Sequence, residues 1–252
     1  MTETITSRKN EKIVHLKKLG ADRSYRYACG QFLCDGEKLL EEAVDAGAEV
    51  GIVLYCGDKP AAVPADIEAY RVPRELIDAV SPLKGAQDVL FSCRMPESGG
   101  AIPNGSSIIL ENVQDPGNVG TVLRTAVAMG IGSVLLVGAC ADPFNPKTVR
   151  GTMGAIFRQK LMMVDYDALE QLVQRGTALY GAALGPESRD IREIDLKNAA
   201  VVIGSEGSGL TGRMLDICTG RLIIPMEPGC QSLNAAVAAA MVMWEMKKAR
   251  VG

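Results

Sequence analysis

The sequence is poor in the residues that several common kinds of site require. Histidine occurs once, as His15 among lysines, so neither a Ser-His-Asp triad nor a histidine metal centre is expected. The seven cysteines form no C-x-x-C pair, which argues against a zinc cluster. Aromatic residues make up 4% of the chain, so we do not expect a base or cofactor to be held mainly by aromatic stacking. The sequence therefore predicts no metal site.

Long apolar segments are also missing. The longest one, residues 235–244, covers roughly half of what a bilayer span needs, and the N-terminus is polar rather than signal-like. Cysteines such as Cys56, Cys140 and Cys218 lie in apolar runs, where we expect small buried side chains in a reducing compartment. These features predict a cytoplasmic protein that does not contact a membrane.

The composition of the chain is that of an ordinary globular enzyme, but its charge is uneven. The 252 residues are 47% hydrophobic and 23% charged, and they suffice for one large domain or two modest ones. The net charge is −3, yet residues 1–26 hold seven Lys/Arg against three acids, a local net charge of +4. That asymmetry is typical of a polyanion-binding end, whereas a solvated helix face explains the charge alone equally well.

Strands alternate with helices along the whole chain, which predicts an α/β protein. The segment MPESGGAIPNGSS, residues 95–107, has no apolar periodicity and is the best linker candidate. We therefore expect two domains, residues 1–98 and residues 105–252. The strands of the second part are almost continuously apolar, which predicts an open, mostly parallel sheet covered on both faces.

Three loops follow strands of the second part, and ligands gather at the carboxyl ends of strands in such sheets. The first, DPGNVGTVLRTAVAMG (residues 115–130), opens a helix that Asn118 could cap. Arg124 lies further along the same helix. An arginine there is either an ordinary surface residue or a clamp that reaches a phosphate in the cleft.

The second loop, VVIGSEGSGL (residues 201–210), is glycine-rich and contains Glu206. Its glycine order is G-x-x-G-x-G, and no acidic residue follows at about 20 positions, so a nicotinamide or flavin site is poorly supported. The glycines could serve only a tight turn. A carboxylate in that turn, however, faces the cleft, where it can accept hydrogen bonds from a ribose, an arginine or a cationic cofactor.

The third loop lies within residues 222–245, between a buried strand and a helix of small residues. Ser232 or Asn234 begins that helix, and Ser232 could cap it. The alanine-rich face of the helix predicts close packing against another helix, within the chain or across a dimer.

Together the three loops resemble the three motifs of the SpoU (TrmH-like) branch of the SPOUT methyltransferases. The motifs are present in the family's order as NVGTVLRTA, GSEGSGL and IPMEPGCQSLN. Two small departures are Ala235-Ala236, where the family often has Val-Ser, and Thr152, where a serine is common. The N-terminal part is similar to the ribosomal-protein-L30e-like RNA-binding domain of rRNA-modifying members, with Arg23 and Arg26 among its cues.

The resemblance implies transfer of a methyl group from S-adenosylmethionine to a ribose 2′-hydroxyl of RNA, with large-subunit rRNA favoured over tRNA. It also implies a deep trefoil knot in the second domain and a homodimer. The cofactor would be held by backbone groups of Gly204, Ile224 and Leu233. A tRNA 2′-O-methyltransferase and a non-catalytic RNA-binding or ribosome-assembly protein on the same fold are the alternatives.

The resemblance assigns the central catalytic role to Arg124. Because arginine keeps its proton in proteins, our hypothesis is that Arg124 clamps the phosphate beside the target ribose and stabilises the forming alkoxide. That phosphate or a water would take the proton. Asn118 and Glu206 would orient Arg124 and the ribose, and Ser232 and Asn234 would complete the catalytic pocket.

Overall fold

The computed structural model describes residues 3–96, 100–103, 105–229 and 232–251. Contacts divide the chain into two compact units. Unit 1 consists of Met1–Glu97 and Asp142–Arg158, and unit 2 consists of Ser98–Ala141 and Gln159–Gly252. The domain limits expected from the sequence, 1–98 and 105–252, stay predictions. Part of the expected linker, residues 97–99 and residue 104, lies outside the described residues.

Unit 1 is built on a four-stranded sheet of mixed direction. Its strand order is β1-β4-β2-β3, and β2 and β3 pair in parallel while β4 runs antiparallel to β1 and β2. The sequence indicated most of these elements but not the second helix, the third strand or the helix from later in the chain. The strands are β1 (Gln31–Asp35), β2 (Val50–Tyr55), β3 (Ala69–Arg71) and β4 (Val89–Arg94); the helices are α1 (Glu11–Ala21), α2 (Arg23–Cys29), α3 (Glu37–Asp45), α4 (Arg74–Val80) and, from later in the chain, α6 (Pro146–Thr152).

Unit 2 is an open parallel sheet of seven strands, as expected. The strand order is β7-β6-β5-β10-β8-β11-β9, and every pairing is parallel. The trefoil knot stays a prediction. The strands are β5 (Ser107–Glu111), β6 (Ser133–Val137), β7 (Leu161–Val164), β8 (Leu179–Ala182), β9 (Ser188–Asp190), β10 (Ala200–Ile203) and β11 (Gly220–Ile223); the helices are α5 (Pro116–Met129), α7 (Tyr166–Gln174), α8 (Gly212–Ile217) and α9 (Ala235–Val251).

The sheet order of unit 2 brings the predicted loops together. Strands β5 and β10 are neighbours, with Leu110 opposite Ile203, so the first and second loops leave the sheet side by side. Helix α9 follows the third loop and packs against α5, which follows the first. All three loops therefore lie at one edge of this unit.

Residues 142–158 pack with unit 1, which the sequence did not indicate. Arg26 forms an ion pair with Asp142, with Nη2 to Oδ2 at 2.5 Å, and both side chains are almost fully buried. Phe144 packs against Phe32, with ring centroids 5.1 Å apart. Arg26 was expected to belong to a basic RNA-binding end. It instead holds this segment, because a buried guanidinium needs a carboxylate partner.

The described cysteines are all free thiols, and their burial is less uniform than expected. Cys34 and Cys93 are buried, whereas Cys56, Cys140 and Cys218 are only half-buried. The remaining cysteine, Cys230, lies outside the described residues. Within the described ranges, no helix is both long and apolar enough to span a membrane.

Candidate active site

The three loops bring one polar side chain each into a single hydrogen-bond network. The amide Nδ2 of Asn118 donates to Oε1 of Glu206. The amide Nδ2 of Asn234 donates to Oδ1 of Asn118 at 3.0 Å and to Oε1 of Glu206 at 3.0 Å. Three of the five predicted catalytic residues are thus in direct contact. We call this set the amide–carboxylate network.

Asn118 contributes to this network because a different residue caps its helix. The side chain of Asp115 accepts hydrogen bonds from the backbone N–H groups of Gly117 at 2.7 Å and Asn118 at 3.0 Å, and Pro116 fills the first helical position. The expectation that Asn118 caps α5 was therefore wrong. Since Asp115 satisfies the exposed N–H groups, the Asn118 side chain is left to bind Glu206 and Asn234.

Asn234, rather than Ser232, caps the last helix. Its Oδ1 accepts hydrogen bonds from the backbone N–H groups of Ala236 at 3.0 Å and Val237 at 3.2 Å. That interaction fixes the orientation of the amide, because the oxygen points to the helix and the NH2 points to the network. Helix capping and site assembly are therefore carried out by the same side chain.

The turn that carries Glu206 is closed by glycines. The backbone N–H of Gly209 donates to the carbonyl of Ser205 at 3.0 Å, and Gly209 has a φ of +64°. A Cβ placed on Gly204 would lie 2.4 Å from the carbonyl carbon of Gly209, closer than any real contact. Glycine is therefore required at position 204, where two stretches of backbone meet.

A cavity of about 420 Å³ lies beside this turn. Its lining includes Gly204, Ile224 and Leu233, the three residues predicted to hold the cofactor, together with Glu206 and Ser232. The volume is in the range of small-molecule sites, and most of the wall is apolar. Residues 230–231 of the third loop lie outside the described residues. The further wall residues include Ala182, Ile203, Leu210, Leu215, Leu222, Ile223 and Met226.

Arg124 does not join the amide–carboxylate network. It lies six residues beyond Asn118 on α5, and six residues turn an α-helix by roughly 240°, which puts the two side chains on different faces. The Arg124 side chain is exposed and makes no hydrogen bond or ion pair with any residue that the structure describes. The geometry does not show Asn118 or Glu206 orienting it.

Glu111, at the end of β5, is a functional candidate that the sequence did not indicate. Its side chain is fully buried and accepts hydrogen bonds from Tyr166 and Thr211. Burial, followed by the hydrogen bond to Glu111, raises the pKa of the Tyr166 phenol, which keeps its proton available for donation. The signal in the sequence was a single carboxylate directly after the apolar run SIIL. No cluster of three or more potential metal ligands occurs in the described part of the chain.

Comparison with known proteins points to the same family as the three motifs. The model of the SpoU rRNA Methylase family matches residues 105–244. A 23S rRNA (guanosine(2553)-2′-O)-methyltransferase of Bacillus subtilis is 32% identical over 248 residues, which cover 96% of this chain and 98% of that protein. The chain belongs to the SpoU rRNA methylase family. The resemblance deduced from the three motifs is thereby confirmed.

Other matches cover each part of this SpoU-family chain. The model of the MRM3-like substrate binding domain matches residues 10–90. The crystal structure of an AdoMet-bound rRNA methyltransferase from Sinorhizobium meliloti has a TM-score of 0.87 and 26% identity, with 98% of both chains covered. The tRNA (guanosine(18)-2′-O)-methyltransferase of Thermus thermophilus is 34% identical, but the match covers only 58% of this chain and 75% of that protein.

Proposed function

We propose that this SpoU-family protein transfers a methyl group from S-adenosylmethionine to a ribose 2′-hydroxyl of 23S rRNA. The observation that carries the proposal is the contact between Asn118, Glu206 and Asn234, one residue from each family motif, beside a cavity of cofactor size. The Bacillus subtilis relative, which is matched over 98% of its length, acts on 23S rRNA, and a structural neighbour binds AdoMet.

The residues around the cavity fit this cofactor. The flat faces of an adenine ring suit the aliphatic wall, and backbone groups of Gly204, Ile224 and Leu233 would bind its polar edge. Side chains at Gly207 and Gly209 would meet no atom within 4 Å, so the glycine turn leaves open space at the rim. When bound, S-adenosylmethionine supplies an electrophilic methyl group on a sulfonium centre.

The chain's own residues would orient the ribose and stabilise the charge that forms on it. The amide–carboxylate network holds Glu206 at the cavity wall, where its free carboxylate oxygen can accept a hydrogen bond from a ribose hydroxyl. Arg124 has no partner among the described residues, so its planar guanidinium is available to clamp the phosphate beside the target ribose. Ser232 lines the cavity and would complete the pocket. The phosphate or a water would then take the hydroxyl proton.

The surface of unit 1 supports an RNA substrate. Of the seven basic residues near the N-terminus, Arg26 is buried and Lys12 pairs with Glu68, whereas the other five are exposed. Two of the exposed five lie over aromatic rings, with Lys18 at 5.2 Å from the Tyr25 centroid and Arg23 at 5.4 Å from the Tyr27 centroid. Cations held beside aromatic rings suit a phosphate backbone with unstacked bases. Because the match to the tRNA enzyme covers little more than half of this chain, rRNA is favoured.

We propose that a second copy of the chain covers an apolar stripe on α9. Val237, Met241 and Trp244 share one helix face, and their exposed fractions are 48%, 43% and 53%. Light scattering should give a dimer, and Trp244→Glu should shift it to a monomer. Val14→Glu, at another exposed apolar position on α1, should leave the dimer unchanged. A wild-type monomer at micromolar concentration would contradict this assignment.

Two measurements test the proposed activity. Calorimetry with S-adenosylmethionine and, separately, with NAD identifies the cofactor. Binding of NAD would favour another nucleotide-dependent enzyme, and binding of neither would favour a non-catalytic RNA-binding protein.

Mapping of 2′-O-methyl groups in rRNA with and without the gene should show one position of 23S rRNA that loses its methyl group. An unchanged map would exclude 23S rRNA as the substrate.

A further inference from the structure

Glu111 is a buried carboxylate that has no cationic partner among the described residues. Its side chain is 0% exposed, and no lysine or arginine of the described chain forms an ion pair with it. The nearby guanidinium of Arg213 lies over the ring of Tyr166, 4.5 Å from its centroid, and pairs with Asp167. Burial of a charged or polar group is costly unless hydrogen bonds replace the water it loses. The cost at Glu111 therefore has to be offset locally.

Three hydrogen bonds occupy both oxygens of this carboxylate. Oε1 accepts from the phenol of Tyr166 at 2.9 Å and from the hydroxyl of Thr211 at 2.6 Å. Oε2 accepts from the backbone N–H of Thr211 at 2.9 Å. Two of the three donors belong to one residue, Thr211, which is 100 positions away in sequence. Glu111 is therefore chiefly an anchor for Thr211.

Thr211 lies directly before α8, at the end of the segment, residues 204–211, that carries Glu206. Its hydroxyl also accepts from the backbone N–H of Met214 at 3.1 Å and so caps α8. At the other end of the turn, Ile203 pairs with Leu110, the residue directly before Glu111. Adjacent residues of β5 thus hold both ends of residues 204–211, the segment that supplies Glu206 and much of the cavity wall.

We infer that Glu111 is a positioning residue that fixes the glycine turn, and with it Glu206 and the cofactor cavity. The inference rests on the proposed function. Packing alone does not explain a carboxylate here, because an apolar side chain of similar size usually serves a buried position as well or better. A carboxylate accepts from the hydroxyl and the backbone N–H of Thr211 at the same time, which no apolar side chain can do.

Glu111→Met tests this role, because methionine keeps the volume and removes both acceptors. The unpaired N–H of Thr211 then has to move toward water, and the turn moves with it. Calorimetry with S-adenosylhomocysteine as the probe should show a dissociation constant raised about tenfold, the effect of one or two lost buried hydrogen bonds. In steady-state assays the KM for S-adenosylmethionine should rise, while the KM for the rRNA substrate stays within about twofold.

Two further variants separate positioning from stability. Glu111→Gln keeps one acceptor for the Thr211 N–H and should restore most of the affinity, since the hydroxyls of Tyr166 and Thr211 can also accept. Tyr166→Phe removes a hydrogen bond to Glu111 that does not reach the turn. It should lower the melting temperature and leave the dissociation constant within about twofold, because the Thr211 anchor is intact.

The outcomes distinguish the inference from the function on which it rests. If the wild-type protein does not bind S-adenosylhomocysteine, the proposed function has failed. If the wild type binds and Glu111→Met binds equally well, Glu111 serves stability only, and the inference is overturned. Should Glu111→Met not fold, Thr211→Val removes the hydroxyl from the other partner, and an unchanged dissociation constant in that variant would overturn the inference in the same way.

Discussion

The side-chain amide of Asn234 donates a hydrogen bond to the side-chain oxygen of Asn118 at 3.0 Å, although 116 positions separate the two residues. The oxygen of the same Asn234 amide caps α9. The site therefore requires a group that accepts on one side and donates on the other, and only a carboxamide of this length does both. The start of α9 and the first turn of α5 fix each other through this one side chain.

Asn234→Asp tests the hydrogen bonds of Asn234 to Asn118 and Glu206 separately from its role as the cap of α9. Aspartate is as good a helix cap as asparagine, so the melting temperature should change little. The substitution removes both donors and places a second carboxylate beside Glu206, where repulsion disfavours the ionised pair. Methyl transfer at neutral pH should fall about a hundredfold or more, as expected when a group that orients the substrate is displaced.

The control for Asn234→Asp is Asn145→Asp, which makes the same change at the cap of α6. Both variants keep a capping oxygen, so both should unfold at nearly the wild-type temperature. A normal rate in Asn234→Asp, or an equal loss in Asn145→Asp, would show that the amide–carboxylate network does not matter for activity.

Much of unit 2 could be predicted from the sequence, because its elements have strong local signals. Apolar runs such as SIIL and VVI mark buried strands, and the glycine turn at residues 204–209 marks a loop at a strand end. Because each loop follows a strand, the sequence also predicts that Asn118, Glu206 and Asn234 lie at one edge of the sheet. These predictions depend only on periodicity and on the rule that parallel strands share their carboxyl ends.

The rest of the fold and of the site depends on which side chains and segments come into contact in three dimensions. Asp115 and Asn118 are both good caps, and the choice between them is decided by which side chain reaches Glu206. A single carboxylate such as Glu111 gives no periodic signal, and its role follows from the neighbouring positions of β5 and β10. Residues 142–158 likewise give no local sign that their contacts are with unit 1.

Gly204→Ala should abolish cofactor binding. The added Cβ would lie 2.4 Å from the Gly209 carbonyl carbon and 2.7 Å from the Leu210 nitrogen, and backbone cannot move aside as a flexible side chain can. The turn must then open, which displaces Glu206. Calorimetry with S-adenosylmethionine measures the loss of affinity.

Gly212→Ala is the matched control. Gly212 lies in the first turn of α8, and a Cβ there would meet nothing within 4 Å. Wild-type affinity in Gly204→Ala would mean that the turn is not held as described.

Asp142→Ala should destabilise unit 1 by about 3 kcal/mol or more, because it leaves the guanidinium of Arg26 buried without a carboxylate partner. The phenol of Tyr27 also loses its acceptor, Asp142 Oδ1, at 3.0 Å. Glu49→Ala removes an equivalent charge from the exposed pair with Arg94 and should cost less than about 1 kcal/mol. Urea unfolding of both variants measures the difference. An equal loss of unfolding free energy in the two variants would show that residues 142–158 are not held by this ion pair.

Thiol reactivity should follow burial among the described cysteines. Burial raises the pKa of Cys93 and of Cys218 to about 12, from an ordinary value of 9.0. Only the thiolate reacts, so at pH 8 iodoacetamide should modify the exposed Cys29 well before either of them. Their protonated state stabilises the fold below pH 9, and this contribution is lost as the pH rises toward 12. Mass spectrometry reports the order, and labelling in urea, which should remove the difference, is the control.

Arg124→Ala should abolish methyl transfer while cofactor affinity stays near the wild-type value. The side chain is exposed and has no partner among the described residues, so its loss should change stability by less than about 0.5 kcal/mol. Arg124→Lys keeps the charge but loses the planar fork, so it should recover only part of the rate if the fork binds a phosphate. Arg175→Ala, another exposed arginine of the same unit, controls for a general loss of positive charge. Near-normal turnover in Arg124→Ala would show that Arg124 is an ordinary surface residue and that the amide–carboxylate network orients the ribose without it.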